Sequence, residues 1–165
     1  MDIKIPFYNV LNMFLTGFVF IGCLLVTYSE GVIAFIKSEM FSKLTTISEL
    51  LLFLIVCAVS YEVGLILNRF SSVVVEPILK KTRLIPFDER YSRFVEKSRK
   101  YPIMHTLSRE YALSRTGVGE FMILAVISVM KSNVAFALLL LGISVIYLLS
   151  CRKHAAKIVK LMQNE

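Results

Sequence analysis

No residue between Lys4 and Glu30 carries a formal charge, and none does between Lys131 and Arg152. Each gap matches the roughly 20 apolar residues that a helix needs to cross a bilayer core about 30 Å thick. Inside lipid every backbone N–H and C=O must be satisfied within the segment, so such runs adopt the α-helix. The composition agrees. Hydrophobic residues make up 56% of the chain and mean hydropathy is +0.70, against an apolar share of about 45–50% in soluble domains. The expectation is an all-α, polytopic membrane protein of 165 residues, long enough for one compact unit.

Four spans are expected. The first covers about 6–28, with Pro6 placed where a helix can start, and the second covers about 50–70, giving a first unit of 1–75. A basic helical segment, 76–112, follows. The third and fourth spans, about 113–130 and 133–151, form a hairpin turned by "KSN", Lys131 to Asn133. A basic tail, 152–165, ends the chain. The first run is too long for a signal peptide and no small-x-small site follows it, so a retained helix is expected. Pro77, Pro86 and Pro102 divide the middle segment into short pieces. One of these, "FDERYSRFVEKSRK", brings Tyr91, Phe94 and Val95 to one helical face. After Pro102 a single helix enters the third span.

The net charge is +7. Its distribution assigns it to membrane topology and not to nucleic-acid binding. Ten Lys and Arg lie between Glu76 and Arg115 and four more follow Cys151, whereas Ser29–Glu49 holds only Lys37 and Lys43. Basic loops stay on the cytoplasmic side. Both termini and the middle segment are therefore expected there. His154 sits in "CRKHAAKIVK", a membrane-proximal helix suited to anionic headgroups.

Two constellations stand out within the spans. At about 100° per residue, Asn9, Asn12, Thr16, Phe20, Cys23 and Thr27 fall on one narrow stripe of the first helix. Small polar residues at such a stripe mediate helix packing. In a ring of subunits they would instead line a pore, with Phe20 as an apolar constriction. Both readings stay open. The second constellation is Glu62, Arg69, Arg115 and Glu120, expected near the interface as a charge cluster pairing Glu62 with Arg115 and Glu120 with Arg69. Cys23, Cys57 and Cys151 lack paired spacing and act as small packing residues. No phosphate loop, nucleophile elbow or metal-ligand spacing occurs, so no cofactor, no metal and no enzymatic activity are expected.

"RKYPIMH" places Arg99 and His105 in the Arg-x5-His spacing of HEPN ribonucleases. With four spans and a basic helical cap, the chain resembles the small, HEPN-like, pore-forming membrane accessory proteins of type VI-B CRISPR loci. The resemblance implies a homo-oligomeric pore that supports antiviral immunity alongside an RNA-targeting effector, and it tips the stripe of Asn9, Asn12 and Thr16 towards water. Two alternatives stand beside it: an assembly subunit without a pore, and a membrane-tethered ribonuclease using Arg99 and His105.

Overall fold

The computed structural model describes residues 7–37, 46–86 and 91–163. Pro6, Lys43 and Arg90 lie outside them. The described residues form helices and no strand: α1 (Phe7–Thr27), α2 (Ser29–Ile36), α3 (Thr46–Phe70), a π-helical turn (Ser71–Val75), α4 (Glu76–Lys81), α5 (Tyr91–Lys100), α6 (Ile103–Met130) and α7 (Val134–Gln163). Four stretches are long and apolar enough to cross a membrane: α1, the continuous Thr46–Lys81, α6 and α7. The chain is a multi-pass helical membrane protein.

The second span differs from expectation at its far end. Instead of stopping near residue 70 it runs on through the π-helical turn to Lys81, 36 residues in all. Pro77 has no N–H to give and would clash with the carbonyl four residues back in an unbroken α-helix. Here it stands in the first turn of α4, directly after the widened π-helical turn. A π turn is one of the few devices that let a helix carry such a residue without ending. The fourth span likewise continues past Cys151 to Gln163, so the basic tail is part of the same helix.

Helices pair where small residues let backbones approach. Gly17 of α1 sits against the Ser60 carbonyl and Gly64 of α3 against the Met13 carbonyl, so closely that a β-carbon at either glycine would collide with backbone. Ser60-x3-Gly64 is the small-xxx-small spacing that joins helices in lipid, where no hydrophobic effect drives association. The second pair, α6 and α7, packs Gly117 beneath the ring of Tyr147. Its seam is tied by Ser114 Oγ to Ser150 Oγ (3.0 Å) and by Ser144 Oγ donating to the Val118 carbonyl (3.2 Å).

The turn between these last helices follows from its caps. Ser132 adopts φ 58°. The N–H of Asn133 reaches the Ser128 carbonyl and that of Ser132 the Val129 carbonyl, the paired bonds of a Schellman motif. Asn133 Oδ1 then accepts the Phe136 N–H at 3.2 Å and starts α7.

The two pairs meet on α6. It buries 61% of its apolar window, against 11–22% in the other spans. A cluster of Phe121, Leu124, Ala125 and Leu140, with Phe20, Cys23 and Leu24 of α1 packed on it, joins α1 to the hairpin. At the end of the bundle carrying the Lys/Arg-rich segment, here the basic end, Leu79, Ile85, Cys151 and Ala155 form a second cluster. The short amphipathic α5 packs over α6 and α7, with Phe94 and Val95 half-buried.

Candidate functional site

The polar stripe of α1 faces the interior of its own bundle. Thr16 is buried, and Asn9 and Asn12 are half-buried. All three line a pocket of about 200 Å³ together with Asn68 of α3 and Ser108, Arg109 and Thr116 of α6. Phe20 is packed on the core cluster of α6 and α7. Thr27 turns its hydroxyl back to the Cys23 carbonyl of its own helix. Within one chain, then, the stripe meets helices and a polar pocket.

Beside this pocket runs a network of buried polar groups. Arg115, 7% exposed, donates through Nη1 to Glu76 Oε2 and through Nη2 to Asn68 Oδ1 at 3.4 Å. Thr116 Oγ1 donates to the same Asn68 oxygen at 3.1 Å. Lys80 completes the group, 2.6 Å from Glu76 Oε1, and the Arg115 guanidinium lies over the ring of Tyr111. The π-helical turn stands between Asn68 and Glu76, and its wider winding sets the angle at which Glu76 leaves the helix.

The expected charge cluster is therefore corrected. Arg115 is held by Glu76, not by Glu62. Glu120 is buried at 3% exposure with Oε1 lacking a hydrogen-bond partner among the described residues, and it makes no pair with Arg69. Depth also differs from expectation. Glu120 adjoins Phe121, whose cluster takes in Phe20 and Cys23 of α1, so it lies well inside the membrane.

Glu62 and Arg69 are both exposed. The buried residues of the second span, Ser60, Gly64, Leu67 and Ser71, define the stripe packed inward. At about 100° per residue Glu62 lies about 180° from it. Because Ser60 and Gly64 straddle Gly17, the midpoint of α1, Glu62 sits within about 3 Å of that midpoint in depth at 1.5 Å per residue. Its neighbours on the outer face are Ile55, 57% exposed, and Ile66, 62% exposed. Arg69 is about 10 Å nearer the basic end, within reach of the interface by snorkelling. Glu62 has no such escape.

Asn68 and Glu76 were missed by the sequence reading. A signal existed: Ser60, Gly64, Asn68 and Ser71 recur at helical spacing, the same kind of small and polar stripe that marked α1. Glu76 lay beyond the expected end of the span. Arg99 lies in the last turn of α5 and His105 in the first turn of α6, on either side of the break at Tyr101 and Pro102, and both are exposed. The cysteines are free, with Cys151 buried and Cys23 and Cys57 half-buried. No group of three or more metal-ligating side chains occurs among the described residues.

Four spans, a bundle with a polar interior and, among the described residues, one outward carboxylate at mid-depth define a polytopic helical membrane protein. No protein-family model, curated protein or solved structure matches the chain.

Proposed function

We propose that this chain is the subunit of a homo-oligomeric membrane pore, with its basic segment and both termini on the cytoplasmic side of a bacterial inner membrane. The observation that carries the reading is Glu62: a carboxylate at mid-depth, turned away from its own bundle. Ionisable residues at that depth cost at least ~2.5 kcal/mol on insertion scales and face protein or water. In a ring symmetric about the membrane normal, every Glu62 lies at one depth. A ring of like charges holds no counter-ion of its own, and a lumen of water and cations would supply one, as acidic rings do in cation pores. The wall is then α3, with Ile55 as the apolar constriction, in place of the α1 stripe and Phe20. The resemblance to CRISPR accessory membrane proteins extends the reading to permeability control in antiviral defence; nothing at Glu62 depends on that extension.

The test is cation efflux from liposomes alongside particle mass in detergent. A uniform oligomer whose efflux falls at least tenfold in Glu62→Gln, with its mass unchanged, supports the pore. A monomeric wild type overturns it. Loss of the oligomer in Glu62→Gln would instead make this face an assembly seam.

A further inference from the structure

We propose that the pocket between α1, α3 and α6 binds the phosphate of a net-anionic ligand, either an anionic lipid headgroup or a small soluble phosphate. The pocket holds about 200 Å³, room for a phosphate and part of its substituent. Its lining is rich in donors. Asn68 has committed its oxygen to Thr116 and Arg115, so its NH2 remains to donate. Asn9 and Asn12 line the pocket and bring two further amides. No carboxylate lines it among the described residues. Glu110, next in sequence to Arg109, turns to the hydroxyl of Tyr8 at 3.0 Å.

The charge comes from Arg109. Its guanidinium lies over the Tyr8 ring, 5.6 Å from the centroid, and Nη2 makes one long bond of 3.4 Å to Thr106. Nε is shut off from solvent and has no acceptor among the described residues. No solvent-sized atom reaches Nε, so a ligand in the pocket engages Arg109 through its charge, which no carboxylate pairs among the described residues. Arg115, held by Glu76, does not line the pocket, so among the described residues the lining itself brings a single positive charge, that of Arg109. A phosphate monoanion balances it and supplies several acceptor oxygens to the amides. Asn9 and Tyr8 lie in the first turn of α1, at the basic end of the span, where headgroup phosphates lie. The site does not depend on the pore.

Thermal unfolding of delipidated protein in neutral detergent tests this with three probes: short-chain phosphatidylglycerol, short-chain phosphatidylcholine and inorganic phosphate. Stabilisation by phosphatidylglycerol alone assigns an anionic lipid, and stabilisation by inorganic phosphate as well assigns a free phosphate. Arg109→Gln should weaken the effective probe about tenfold or more, as loss of a charge-assisted bond does, and Arg109→Lys should restore part of it. Lys131→Gln, exposed in the turn between α6 and α7 at the other end of the bundle, should leave it unchanged. If Arg109→Gln does not fold, the same comparison is made with Asn12→Ala. The proposal is overturned if phosphatidylcholine stabilises as well as phosphatidylglycerol, if no probe stabilises the protein, or if the pocket variants respond as the wild type does.

Discussion

Gly17 and Gly64 meet backbone to backbone, and the closeness of the α1–α3 pair rests on that contact. A methyl group at Gly17 would enter the Ser60 carbonyl and one at Gly64 the Met13 carbonyl. Neither obstacle is a side chain that can swing away, so the helices must separate. Gly17→Ala and Gly64→Ala are each expected to destabilise the protein by about 1–3 kcal/mol, the usual range for overpacking. Thermal unfolding in detergent reads the loss. Gly22→Ala serves as the control, since open space surrounds that position.

Arg115 and Glu76 form the most buried ion pair described, with side chains 9% and 16% exposed. Removing one partner strands the other, at a cost of about 3–5 kcal/mol for a fully buried pair. Arg115→Ala should approach that figure. Glu76→Ala should fall below it, because Asn68 still accepts from Arg115. The double variant should cost about 1–3 kcal/mol less than the sum of the single ones. Chemical unfolding of the two single variants and the double one in detergent measures this coupling, and additive losses would disprove the pairing.

The spans were legible in the sequence because lipid imposes a length and forbids charge, two constraints that need no knowledge of neighbours. The stripe of α1 was legible as a stripe. Its destination was not, because the same one-sided pattern serves a pore wall and a packed seam. Within one chain the stripe meets the pocket residues and the α6–α7 cluster, contacts between segments far apart in sequence. The charge pairing failed for a related reason. Ending the second span near residue 70 left Glu76 outside it, and no periodicity announces a π-helical turn.

Ser132 holds φ 58° at the end of α6, a left-handed conformation that costs a β-carbon about 1–2 kcal/mol and glycine almost nothing. Glycine is the usual residue at this position of a Schellman motif. Ser132→Gly should therefore stabilise the hairpin by about 0.5–1 kcal/mol, the gain being trimmed by the freer unfolded chain. The midpoint of thermal unfolding should rise.

Arg99 and His105 lie on different helices across the Pro102 break, and both are exposed. Surface substitutions of this kind change stability by less than about 0.5 kcal/mol. The variant carrying Arg99→Ala and His105→Ala should unfold and permeabilise liposomes as the wild type does. Degradation of added RNA by the wild type, abolished in this variant, would revive the ribonuclease reading.

Glu62 allows a test of sign as well as of loss. If its carboxylates ring a lumen, they attract cations and repel anions, and the preference should follow the charge. Glu62→Gln should weaken the cation preference and Glu62→Lys should reverse it, moving the reversal potential under a salt gradient to the anion side. Because the side chain lies opposite the stripe packed on α1, neither change disturbs the fold of the single chain, and helical circular dichroism should stay constant. Arg69, about 10 Å nearer the basic end of the same face, supplies the internal comparison. Arg69→Gln should strengthen cation preference by removing a competing positive ring. A reversal potential that ignores the charge at both positions would remove α3 from the wall of any pore.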